Sequence, residues 1–299
     1  MPRSSCSTTG RARVVALVMA ASLVAIPAST HAQRGRGATP GPLRDAAQLD
    51  VDGKTAQARA IYQAVLDTIS APMAKADVQR SMAMSYAFDG DCANTLKYEQ
   101  MVIDYWETRE QAEPQNAFYQ EGEMADEGAR VCIDAGDLDA AEQWYRKGYE
   151  LGTQEPAPQT HPKSLWDYRL AHALGRIAAR RGDPAEAERQ IAAARKALDG
   201  DSAMASQQER FFPYLVGYVA LYTGNLKTAE SEFTTMLAMR GNQSDPFMNC
   251  LLAMTYEKMG EQAKADALYR KAYDMARAHN PPAAYVRHFV RDKLGLTGG

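Results

Sequence analysis

The stretch VGYVALYTGNLKTAESEF, residues 216–233, decides the fold. Gly224 supplies the positive φ that ends one helix and lets the chain reverse. Asn225, directly after it, is a good N-cap for a second helix. Ala229 and Phe233 lie four apart, so they stack on one face of that second helix, the small side chain letting a neighbour approach and the large one filling the gap beside it. Upstream, Val216-Gly217 sets a bulky residue beside a tiny one where the first helix meets the second. The stretch is a helix hairpin.

The same hairpin recurs along the chain. Short turns centre on Gly53, Gly90, Gly136, Gly182, Gly224 and Gly260, spaced 37, 46, 46, 42 and 36 residues apart. Five residues after five of these glycines stand Ala58, Ala141, Ala187, Ala229 and Ala265; nine residues after stand Tyr62, Tyr145, Ile191, Phe233 and Tyr269. The Gly90 unit departs, with Thr95 and Glu99 in those places. Asp137 and Asp183 repeat the capping role of Asn225, and Leu174-Gly175 repeats the bulky-and-tiny pair. A fixed offset of small and large residues after each turn means paired helices leaning on their neighbours.

This pattern resembles the tetratricopeptide-repeat (TPR) family, over roughly residues 43 to 280. The resemblance implies an all-α solenoid of about six helix-turn-helix repeats, with protein or peptide partners held in a concave groove. Two departures are visible. The family period is about 34 residues, and three of the spacings here are 42 or more, so long helices or inserted loops are expected. The first-helix Trp of the family pattern is absent from its place in every repeat.

Punctuation sets the other boundaries. Arg3, Arg11 and Arg13, an apolar run from Val14 to Ala28 and the small-residue site Thr30-His31-Ala32 together read as a secretory signal peptide over residues 1–32, cleaved after Ala32. The run is shorter than the roughly 20 residues a bilayer span needs. Residues 33–42 (QRGRGATPGP) form a Gly/Pro/Arg linker, and 43–299 the repeat domain. QEPAPQTHP at 154–162, with three prolines in nine residues, is the longest loop and is placed to hinge repeats one to three against four to six. After Asn280-Pro281-Pro282, Tyr285, Val286, Phe289, Val290 and Leu294 recur at helical spacing as a capping helix.

Composition excludes several function classes. A net charge of −3 without a polybasic block argues against nucleic acid. No stretch after the leader is apolar enough to span a membrane. Cleavage leaves Cys92, Cys132 and Cys250, too few for a disulfide scaffold and without the CxxC spacing of a zinc or redox site. Cys92 and Cys132 fall near the shared turn end of successive repeats, where one bridge is expected, the alternative being three buried, inert thiols. No HExxH, GxSxG, SxxK, phosphate loop or dinucleotide fingerprint occurs. His161, His172, His279 and His288 stand alone and read as solvated, so no catalytic residue, metal or cofactor is expected.

The family frame counts the turn glycine as position fifteen and implies that positions two, five, nine, twelve and thirteen face a ligand. In repeat five it selects Phe211, Tyr214, Tyr218 and Tyr222, a stripe that suits peptide or sugar unless the rings are core. In repeat four it selects Arg169, His172, Arg176 and Arg180, able to receive a carboxylate or to form a solvated face paired with acids. In repeat three it gives Glu123, Asp126 and Arg130. The expected function is an exported, non-catalytic scaffold in the periplasm or outside the cell, holding a protein or peptide partner, with envelope assembly as a setting. The alternatives are a glycan-binding module on Tyr214, Tyr218 and Tyr222, and an enzyme with an unrecognised site.

Overall fold

The computed structural model describes residues 41–296. The expected leader, and all but the last two residues of the expected linker, lie outside the described residues. All the regular structure among these is helical. Helices α1 (Gly41–Val51) and α2 (Thr55–Leu66) form the first hairpin, α3 (Pro72–Ala87) and α4 (Cys92–Glu107) the second, α5 (Pro114–Ala135) and α6 (Leu138–Gly152) the third, and α7 (Lys163–Arg180) and α8 (Pro184–Gly200) the fourth. A short α9 (Ser202–Gln208) and a 3-10 turn then lead into α10 (Phe212–Thr223), which pairs with α11 (Leu226–Ala238). The sixth hairpin is α12 (Pro246–Lys258) with α13 (Gln262–Met275), and α14 (Pro281–Lys293) follows as the cap.

Each hairpin is built as its sequence dictates. All six turn glycines sit at φ between 69° and 89°, in the left-handed region. Asp91, Asp137, Asp183 and Asn225 accept hydrogen bonds from the backbone N–H three residues on and so cap α4, α6, α8 and α11. Ala58, Ala141, Ala187, Ala229 and Ala265 are all fully buried, and of their bulky partners only Ile191 is not. A Cβ on Gly217 would come within 2.6 Å of the Phe233 ring, which shows why glycine stands where α10 crosses α11. In the aberrant second repeat Thr95 and Glu99 are buried all the same. Thr95 Oγ1 donates to Asp91 O at 2.8 Å.

The loop at 154–162 is folded around a buried carboxylate. Glu155 accepts from the Thr160 hydroxyl (2.8 Å) and the His161 backbone N–H (3.1 Å), and His161 stacks on Tyr119 of α5 at 3.7 Å. Any hinge motion there has these contacts to break.

Cys92, at the start of α4, and Cys132, near the end of α5, are joined by a disulfide with Cα atoms 4.8 Å apart. Reducing it, or replacing both cysteines by serine, is expected to cost about 2 kcal/mol or more, read as a lower urea midpoint. Thiol titration of the denatured, unreduced protein lacking its leader should find Cys250 alone; three thiols would refute the bridge.

The last helix does more than cover repeat six. α14 packs on α12 and α13 and also on α1, α3 and α5. His279, in the turn before it, places Nε2 2.8 Å from the buried Asp50 of α1, which also accepts from Ser85 (2.6 Å) and Tyr62 (3.1 Å). The His279 ring stacks on Phe88 at 5.5 Å. Arg291 lies so close over Gly53 that a Cβ there would meet its guanidinium at 2.0 Å. Val286 and Val290 are fully buried in a core that also holds Val51, Met84 and Val131. Burying each of the two contributes about 1.5–3 kcal/mol. The solenoid therefore closes on itself, its last element against its first.

Candidate functional site

Closure turns the inner faces of α5, α7, α10, α12 and α14 toward one another. At one end Arg169 of α7 makes an ion pair with Glu123 of α5, with its guanidinium 4.9 Å from the Trp166 ring and 5.6 Å from Tyr119. One turn on, His172 places Nε2 3.3 Å from the Phe211 carbonyl, with its ring 4.9 Å from Tyr214. Burial, helped by Arg176, holds the His172 imidazole well below its ordinary pKa, so it is neutral.

Arg176 is the centre of the wall. It is 5% exposed and donates to Tyr214 Oη and Tyr145 Oη, both at 2.9 Å, and to the His172 carbonyl at 3.3 Å. Arg180 follows, donating to Tyr218 Oη at 3.4 Å and lying 5.1 Å over Tyr222. The basic and aromatic rows thus interlock one helical turn out of register, frame position nine of α7 meeting five of α10 and thirteen meeting nine.

Both rows come together, but most of their members are wall. Tyr214, Tyr218, His172 and Arg176 are buried; Phe211 and Arg169 are half-buried and engaged, Phe211 under Arg210 at 4.5 Å. Arg180 and Tyr222 reach open space. The solvated reading of the histidines is corrected for three of the four: His161, His172 and His279 are each stacked or hydrogen-bonded inside the fold, because the elements they face arrive from distant sequence. His288 alone is exposed.

At the turn end the wall opens into a cavity of about 340 Å³. Arg180 and Tyr222 line it together with Asp134 of α5, Met254 of α12, and Tyr285 and Phe289 of α14. Phe289 stacks on Tyr285 at 5.2 Å, and Tyr285 meets Phe247 edge-on at 5.1 Å. Sequence reading missed Asp134, although it occupies position thirteen of the third repeat and the frame would have found it. Tyr285, His288 and Phe289 lie outside any repeat, so no frame could assign them. No group of three His, Cys, Asp or Glu side chains placed to hold a metal occurs among the described residues.

With the hairpins and their shared interior described, one comparison bears on kinship: a tetratricopeptide repeat family model matches residues 248–279, which span α12 and α13. The chain carries a tetratricopeptide repeat. No curated protein matches the chain. TPR units point to a protein–protein interaction scaffold, and members of the family are in general non-catalytic. In this TPR protein the hairpins run from α1 to α13, well beyond the matched repeat.

Acids in the TPR interior give the fold a pH dependence. Burial, reinforced by Glu123 and opposed by Arg169 and Arg176, pushes Asp126 up to about 8; burial beside Glu110 and Glu107 pushes Glu121 up to about 7. Glu99 is also held well above its usual range, by burial and then by Glu127. Folding therefore retains protons that the unfolded chain has released by about pH 5. The native state binds the more protons, so stability falls as pH rises through 6.5 to 9. About 2 kcal/mol should be lost across that interval. Urea melts at pH 6.5 and 9 check this; equal or rising stability contradicts it.

Proposed function

We propose that the protein is an exported, non-catalytic scaffold that holds a protein or peptide partner at the open end of its inner face, in the periplasm or outside the cell, with envelope assembly as its setting. The observation that carries this reading is the convergence of the first-helix faces on one charged interior of which Arg180 and Tyr222 remain accessible. Guanidinium and tyrosine side chains are the types that anchor partners most strongly once desolvated. The leader pattern at residues 1–32 supports export, and the Cys92–Cys132 bridge fits an oxidising compartment. A sugar platform is less favoured, because Tyr214 and Tyr218 are buried with their hydroxyls committed to Arg176 and Arg180.

Site-specific photocrosslinking in the native host tests the reading. A crosslinking residue in place of Tyr222 should capture one recurrent polypeptide, and the same residue in place of the exposed Glu188 on α8 should not. Equal capture from both positions, or none from Tyr222, sinks it.

A further inference from the structure

We propose that the cavity at the turn end of the closed solenoid binds a small zwitterion, an amino acid with an apolar side chain. This goes beyond the scaffold reading, since it needs no macromolecular partner. The cavity, at about 340 Å³, falls within the size range of small-molecule pockets.

Its polar groups come in an unusual combination. Asp134 projects from α5 and Arg180 from α7, both into the cavity. No salt bridge or hydrogen bond joins the two among the described residues; Asp134 feels the charge of Arg130 and Arg176 as well as that of Arg180. Arg180 has no carboxylate partner either; its hydrogen bond to Tyr218 is long, at 3.4 Å. A carboxylate and a guanidinium that share one pocket without a direct hydrogen bond between them each keep hydrogen-bonding capacity for whatever enters. A ligand bearing only one charge would meet one of them and leave the other half-desolvated, which is costly for an ion. An ammonium for Asp134 and a carboxylate for Arg180 meet both with charge-assisted hydrogen bonds.

The remaining walls specify the side chain. Met254, Tyr285 and Phe289 present a thioether and two stacked rings, so the side chain is apolar. His288, an exposed side chain over Gly90, also lines the cavity, and a Cβ on Gly90 would already approach its imidazole to 3.3 Å. The walls belong to helices from both ends of the chain. Occupancy therefore ties α14 to α5 and α7 and strengthens closure.

Calorimetric titration of the purified protein with L-leucine, L-methionine, L-phenylalanine and L-tyrosine is expected to give a single site for at least one of them. The matching amine without its carboxylate, and the matching acid without its ammonium, should each bind about tenfold or more weakly than that zwitterion. Arg180→Gln and the near-isosteric Asp134→Asn should each weaken it by a similar factor. Should Arg180→Gln fail to fold, Asp134→Asn and the ligand series decide the matter. No binding heat with any of the four at millimolar concentration overturns the proposal, as does a singly charged analogue that binds as tightly, or a folded Asp134→Asn that binds unchanged.

Discussion

Replacing Arg176 by alanine is expected to lower the free energy of unfolding by about 3–5 kcal/mol, the range for removing one member of a buried charged network. Three costs combine. The hydroxyls of Tyr145 and Tyr214, each 2.9 Å from the guanidinium, lose their donor inside the fold. The long side chain leaves a void that the surrounding helices close only in part. And three elements, α6, α7 and α10, lose a group that bonds them together. Arg176→Lys should recover little, since an ammonium cannot reproduce a planar fork reaching two hydroxyls on different helices. Arg176→Met, which keeps volume and drops the charge, should fall between alanine and wild type. Urea denaturation of the three variants is the measurement. A loss below about 1 kcal/mol for alanine would mean that the interlocked rows carry no weight in holding the repeats together.

That arrangement also marks where sequence reading stops. The hairpins were legible because each is specified locally. Gly136 ends α5, Asp137 caps α6, and Ala141 and Tyr145 face back across the turn, all within ten residues. Nothing comparably local specifies closure. Asp50 and His279 meet across 229 residues, and each on its own looks like an ordinary polar residue beside a turn. The charged residues of α5 and α7 mislead for the same reason. Glu123, Asp126 and Arg169 occupy helical stripes that suit a solvated face, and they become interior when a third helix row covers them. The register of the two rows was likewise hidden, since the family frame states which positions face inward and not how far adjacent helices slide. Asp134 is the informative miss, a residue the frame contained and whose setting, a cavity formed by α14, it did not.

Close helix approach supplies the second large effect. Trp166 of α7, 1% exposed, is wedged between two helical glycines. A Cβ on Gly152 would fall 2.1 Å from its indole, and one on Gly122 would fall 2.4 Å from the far edge of the same ring. The indole cannot retreat from one glycine without meeting the other. Gly152→Ala is therefore expected to cost about 3 kcal/mol or more, the upper part of the range for overpacking. That is so even though alanine is the better helix former by about 1 kcal/mol. The cause is separable from any change in the α6 backbone. If the clash with Trp166 is responsible, Trp166→Leu should make the alanine nearly harmless. The double variant would then lose at least about 1 kcal/mol less than the two single losses added together. Costs that simply add would place the damage in the helix end or the loop beyond it. Coupling of the expected size would show that these small residues exist to let the third and fourth repeats approach across one large ring.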